Sequence, residues 1–237
     1  MANFLQFSLL LLLSSFCVDA AIFTLQNNCK KTIWPGILSG GGHPLLSPGG
    51  LELKPRGSIK LTAPTGWSGR FWARSGCTFD TSGKGNCVTG DCGNVLQCNG
   101  AGGVPPVSLA EFTLNSPMDF YDVSLVDGYN VPVSIVPLGG SGNCSRVTCV
   151  SDLNVKCPRS LQVKGDGGEV VACKSACTAF QKPECCCSGA FNDPKICKPT
   201  SYSKIFKEAC PSSYSYPYDD ATSTFTCKEA NYLISFC

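Results

Sequence analysis

Glu111, Asp122 and Asp127 sit where carboxylates are scarce. The stretch from Val107 to Gly128 has two short runs of apolar, β-branched and aromatic residues. Between them lies the turn-forming Asn115-Ser116-Pro117-Met118, so the pattern predicts two neighbouring strands in a hairpin. Strands are depleted in Asp and Glu. Alternation gives each strand two faces. Glu111 shares one with Leu109 and Thr113, opposite Ala110, Phe112 and Leu114. Asp122 and Ser124 share another, opposite Tyr121, Val123 and Leu125, and Asp127 closes the run at a turn. Carboxylates that share a site raise one another's pKa, which sets an acid beside a base. Two readings stay open: the wet face of a sheet, or the floor of a site.

Other reactive types are sparse. Arg70 and Arg74 flank Trp72 at two-residue spacing. They either pair with a carboxylate across the sheet or decorate a surface. His43 is the only histidine, in a Gly- and Pro-rich loop. With no second histidine and with cysteines that look paired, no metal site is expected, and no cofactor. Gly83-Lys84-Gly85 has neither the strand-to-helix context nor the Lys-Ser/Thr pair of a phosphate loop.

The elements that must position these groups are short. Of 237 residues 18 are Cys, 25 Gly and 16 Pro, and 15% are charged. That mix points to an oxidising compartment, a disulfide framework, and strands and ordered loops rather than long helices. Residues 1–20 read as a signal peptide, with an apolar run from Leu5 to Phe16 and small residues Val18 and Ala20 before the expected cut. The run is too short for a membrane span, and no later stretch suggests one. The mature chain then carries 19 basic and 16 acidic residues, a formal charge of +3. This is no footprint for nucleic acid, and it permits loose attraction to an anionic wall or membrane surface.

Ala21–Gln26, Thr32–Trp34, Leu51–Leu53, Ser58–Leu61, Val131–Val136, Ser223–Cys227 and Tyr232–Cys237 read as strands. Residues 77–103 hold four Cys and few branched apolar residues, so disulfides must order them. In the Cys-dense stretch from Cys149 to Cys210, Glu169–Phe180 and Ser201–Glu208 have helical spacing. Asn143-Cys144-Ser145 fits the N-glycosylation acceptor pattern at Asn143.

The chain resembles the thaumatin-like proteins, also called pathogenesis-related group five. The resemblance covers essentially all of residues 21–237. It rests on Ala21-Ile-Phe-Thr-Leu-Gln-Asn-Asn-Cys29, on Gly69-Arg70-Phe71-Trp72-Ala73-Arg74, and on Gly83-Lys-Gly-Asn-Cys87-Val-Thr-Gly-Asp-Cys92-Gly93 running to Cys98. Leu109–Phe112, Phe120–Gly128, Ala172–Cys177, Tyr214–Cys227 and the ending Tyr232–Cys237 also fit. The resemblance implies a mainly β fold: a flattened antiparallel β-sandwich of about eleven strands, a small disulfide-bonded loop region, and a disulfide-rich lobe with a short helix. On this chain the sandwich would take residues 21–76, 104–148 and 211–237, the loop region 77–103, and the lobe 149–210. The implied disulfides are Cys29–Cys237, Cys77–Cys87, Cys92–Cys98, Cys144–Cys227, Cys149–Cys210, Cys157–Cys173, Cys177–Cys186 and Cys187–Cys197. Spacing alone does not give that connectivity. Two departures stand out: Cys185 is left unpaired, and Asn94 stands where many relatives have Gly.

Many family members carry an acidic cleft, and its residues fall here on Arg70, Glu111, Asp122, Asp127 and Asp219, with Asp220 as the alternative for the last. The resemblance implies antifungal defence by binding β-1,3-glucan, or a fungal wall or membrane surface. The alternatives are weak endo-β-1,3-glucan hydrolysis, and durable storage or enzyme inhibition without glycan activity. For hydrolysis Glu111 is the expected acid and Asp122 its partner. Phe120 and Tyr121 are the expected sugar-stacking residues. The expected state is a secreted, apoplastic monomer, with Cys185 the one route to a covalent dimer.

Overall fold

The computed structural model describes residues 20–115 and 117–237; of the expected signal peptide, Met1 to Asp19 lie outside the described residues. In chain order the strands begin with β1 (Ala21–Asn27), β2 (Trp34–Ser39), β3 (Ser58–Ala63), β4 (Ser68–Arg74), β5 (Thr78–Phe79) and β6 (Gly85–Asn86). There follow β7 (Leu109–Thr113), β8 (Asp119–Ser124), β9 (Val133–Leu138) and β10 (Val147–Cys149). The lobe contributes β11 (Gln162–Lys164) and β12 (Val170–Cys173), and the chain ends with β13 (Phe225–Cys227) and β14 (Asn231–Phe236). The helices are short: α1 (Leu153–Lys156), α2 (Ala176–Phe180), α3 (Pro183–Cys186), α4 (Ser201–Ala209) and α5 (Asp220–Ser223).

Two five-stranded sheets make the sandwich, in the orders β10-β9-β14-β1-β3 and β13-β8-β7-β4-β2. Ten strands therefore stand where about eleven were expected. Leu51–Leu53 contributes only the isolated bridge Ile33↔Leu53. One pair, β1 with β14, runs parallel. That neighbourhood brings Cys29 to Cys237, a bond spanning 208 residues.

Alternation builds the core. Ala110, Phe112, Tyr121 and Val123 turn inward from β7 and β8 and are at most 3% exposed. Phe23 of β1 meets Trp67, Phe71 and Phe112 at centroid distances of 5.4, 4.9 and 4.7 Å. Tyr232 of β14 packs on Phe112 at 5.0 Å. Such ring pairs each add about 0.5–1.5 kcal/mol beyond area burial. Tyr121 is thus a core residue, 1% exposed, with its hydroxyl donating to Ser145 O at 2.6 Å. This corrects its expected role in sugar stacking: the alternation that turns Asp122 outward turns Tyr121 inward.

Arg74 neither decorates a surface nor pairs with a carboxylate across the sheet. It is 0% exposed, and its guanidinium donates to the carbonyls of Trp34, Val95 and Leu96 at 2.9, 2.9 and 2.6 Å. Burial lowers its pKa to about 10, against the attraction of Asp91. It therefore fastens residues 77–103 onto β4. In that region Asp91 accepts from the backbone N–H of Cys87, Gly93 and Asn94. Asn94 has φ 61°, a left-handed position that Asn tolerates better than most residues.

The expected helix over Glu169–Phe180 is half strand. Val170–Cys173 pairs with Gln162–Lys164, and the helix starts only after Ser175, whose hydroxyl caps it by accepting from Thr178 N. Val170 and Val171 favour the ladder, and Cys157–Cys173 holds it. The eight disulfides of the structure are the pairs the resemblance implies, and Cys185 is free.

Candidate functional site

Register assembles the site. Arg70 of β4 lies opposite Glu111 of β7, and Glu111 lies opposite Asp122 of β8. All three side chains leave the outer face of their sheet, in one row across three strands. At one end this face is covered by the 77–103 region, where Trp72, Cys92, Cys98, Val107 and Leu109 form a small second core. Trp72 lies across Gly36, its cross-strand partner, where a Cβ would stand 2.3 Å from the indole ring. The indole N–H donates to Gly90 O at 2.8 Å. The row itself stays uncovered.

Two hollows open on either side of it. One, of about 410 Å³, is bounded by Ser39, Gly40, Ser68, Thr113 and Phe120. The other, of about 250 Å³, is bounded by Leu109, Ser124, Asp127, Tyr214 and Pro217. Arg70, Glu111 and Asp122 line both, so the hollows are two halves of one groove with the charged row as its floor. Phe120 is 36% exposed and stands in its wall.

The row is electrostatically tense. Arg70 Nη1 lies 3.7 Å from Glu111 Oε1, and the two side chains are 39% and 35% exposed through the groove mouth. Burial on the remaining sides raises the pKa of Glu111; Arg70 opposes that rise and Asp127 adds to it. Asp122 is pushed up to about 8 by burial first, then by Glu111 and Asp220. Its Oδ1 is buried with no hydrogen-bond partner. Burial, Glu111 and Asp220 all act against its ionised form.

The structure brings Arg70, Glu111, Asp122 and Asp127 together. It does not bring Asp219 with them. Asp219 accepts from Ser215 N and Oγ at 2.9 and 2.8 Å and pairs with Lys207 Nζ at 3.0 Å. Its carboxylate is a strut tying α4 to the segment before α5, which corrects its expected place in the cleft. Asp220 accepts from the Tyr214 hydroxyl at 2.9 Å and is the neighbour whose charge acts on Asp122. Thr113 joins the groove from the same face as Glu111, as alternation allows. Tyr214, Pro217, Ser39 and Gly40 reach it from distant segments, for which sequence spacing carries no signal. Among the described residues no group of three or more His, Cys, Asp or Glu is arranged to hold a metal ion.

Comparison with known proteins agrees with this architecture. The thaumatin family model matches residues 27–237. Pathogenesis-related protein 5 of Arabidopsis thaliana is 60% identical over 242 residues, covering 100% of both chains. A protein of Prunus avium named glucan endo-1,3-beta-glucosidase is 49% identical over 232 residues, covering 96% of this chain and 95% of its own. Among solved structures, a laminaripentaose-producing β-1,3-glucanase in complex with laminaritetraose matches with a TM-score of 0.65. It covers 92% of this chain and 98% of its own at 10% identity, a likeness of fold alone. With its motifs, its sandwich and its eight disulfides accounted for, the chain belongs to the thaumatin family, the pathogenesis-related group-five proteins.

Proposed function

We propose that this secreted protein serves plant defence by binding β-1,3-glucan of fungal walls in the groove floored by Arg70, Glu111 and Asp122. Family membership and the disulfide framework set it outside the cell. The observation that carries the reading is the groove itself. An open trough with a few convergent polar groups and one exposed ring suits a polysaccharide, whose hydroxyls need donors and acceptors and whose ring faces need an aromatic platform. Phe120 supplies the platform. Arg70, Thr113 and the carboxylates supply the polar contacts.

Hydrolysis is the second reading, and the Glu111–Asp122 pair favours it. Directly opposed residues hold their Cβ atoms about 4.5–5.5 Å apart. That proximity sets both carboxyl groups on one face within reach of a single glycosidic bond, as a glycosidase pair needs. In this reading the roles run opposite to the sequence expectation: Asp122, whose ionised form burial, Glu111 and Asp220 all oppose, is the acid, and Glu111, beside Arg70, is the nucleophile. The Prunus avium relative carries a name of this activity. The test is sedimentation of purified protein with insoluble linear β-1,3-glucan, with reducing ends assayed in the same tubes, for wild type, Glu111→Gln and Asp122→Asn. Binding without turnover supports the first reading. Turnover lost in both variants while binding persists supports the second. No sedimentation of the wild type overturns both.

A further inference from the structure

We infer that a second binding surface, on the other sheet from the groove, lies at the end of the sandwich formed by β1 and β3, and that it takes an acidic polysaccharide bearing uronate carboxylates. Lys30, Lys31, Lys54, Arg56 and Lys60 all fall between residues 28 and 61, where Glu52 is the sole acidic side chain. All five are exposed. The ion pairs among the described residues are Arg70–Glu111 and Lys207–Asp219, so none of the five is paired with a carboxylate of the described residues.

Buried Asn27 gathers four of them. Its Nδ2 donates to Lys31 O at 3.0 Å and to Leu53 O at 2.8 Å, and its Oδ1 accepts from Cys29 N at 2.8 Å. Its backbone N–H donates to Gly57 O at 3.0 Å, and its carbonyl accepts from Arg56 N at 2.8 Å. The loops 28–32 and 53–57 are thus pinned to one residue, which sets the Cα atoms of Lys30, Lys31, Lys54 and Arg56 within roughly 12 Å of each other. Cys29–Cys237 fixes the same corner covalently. Lys60 continues the charge along β3, the edge strand of its sheet.

Arg56 gives an independent sign. It occupies φ 64°, the left-handed region that Gly or Asn would fill more easily. Backbone strain kept at an exposed cation points to a use for the cation. A polyuronate offers regularly spaced carboxylates on an extended chain, which matches a cluster of cations continued along a strand edge. A lipid surface fits less well, because interfacial binding seats apolar side chains. None of the exposed large apolar residues belongs to loops 28–32 or 53–57.

The experiment measures binding of the full mature protein to polygalacturonate by affinity electrophoresis across a salt series. It compares wild type with Lys30→Gln/Lys31→Gln/Lys54→Gln/Arg56→Gln, and with Lys164→Gln/Lys195→Gln/Lys198→Gln/Lys204→Gln, which removes the same four charges elsewhere, as a control for net charge. Thermal unfolding confirms that each is folded. The expected result is a dissociation constant raised about tenfold or more in the first variant and about twofold or less in the second, with a flatter salt dependence in the first. No retardation of the wild type overturns the inference, as does equal weakening in both variants. A parallel arm uses vesicles containing anionic phospholipid; binding there that exceeds polygalacturonate binding and needs the same four cations assigns the surface to membranes instead. Sedimentation with neutral β-1,3-glucan is expected to be unchanged in the first variant, which keeps this outcome separate from the fate of the groove.

Discussion

Asp122 makes the stability of this protein fall as pH rises through the neutral range, and Asp122→Asn abolishes much of that fall. The carboxyl is pushed up to about 8 from an ordinary 3.8 by burial, Glu111 and Asp220. Below about pH 4 it is protonated in both folded and unfolded chains, and the site costs nothing. Between about pH 4 and 8 the unfolded chain releases the proton while the folded chain keeps it, so stability declines with rising pH. Above about pH 8 the loss is complete. A difference of about four pH units at ~1.4 kcal/mol each bounds the effect near 5–6 kcal/mol. Part of the shift is repulsion from Glu111, which is relieved when the proton moves between the two, so the realised loss is about 2–3 kcal/mol. The amide that Asp122→Asn introduces fits the same space and can donate to Glu111. Guanidinium unfolding of wild type and Asp122→Asn, with disulfides intact, at intervals from pH 4 to pH 9 reads the difference directly. The variant is expected to match wild type near pH 4 and to exceed it by about 2–3 kcal/mol at pH 9. A difference that stays constant with pH, or a variant weaker at pH 9, refutes the reasoning.

Further consequences follow from the same contacts. Replacing Arg74 by Met strands three carbonyls of Trp34, Val95 and Leu96; stability should fall by about 2–4 kcal/mol, with limited proteolysis opening residues 77–103 first. Lys207→Met leaves Asp219 without its cation and should cost about 1–3 kcal/mol, read as lowered thermal stability with cleavage between residues 211 and 223. Phe120→Ala should weaken β-1,3-glucan binding by about threefold to tenfold at unchanged thermal stability, whereas Tyr121→Ala should destabilise by about 3–5 kcal/mol.

Much of this was legible from residue order. Alternation alone assigned Glu111 and Asp122 to faces opposite the core residues of their strands, and the structure keeps that assignment. The same rule conflicts with the expected stacking role of Tyr121, since adjacent strand residues cannot share a face, and the structure follows the rule. Alternation does not supply register. That Arg70, Glu111 and Asp122 stand in one row depends on how three strands slide against each other, which hydrogen bonds between distant segments decide. Asp219 and Asp220 are neighbours at the start of a helical turn, where neither period two nor 3.6 applies; only Lys207, folded in from α4, shows which carboxylate turns inward. Arg74 shares the outer face with Arg70, but its burial comes from a loop whose position is fixed by its own disulfides. The segment Glu169–Phe180 misled because its alanines have helical spacing, while the strand in its first half is imposed by pairing with Gln162–Lys164 and by Cys157–Cys173.

The central claim is that the groove over Arg70, Glu111 and Asp122 holds β-1,3-glucan. Titration of isotope-labelled mature protein with a soluble β-1,3-linked glucose oligosaccharide, followed by backbone amide resonances, tests it most directly. The account predicts saturable shifts concentrated at Ser39, Ser68, Arg70, Thr113, Phe120 and Asp122, and loss of affinity in Phe120→Ala. Saturable shifts confined to another surface, or no shifts at millimolar oligosaccharide, would contradict it.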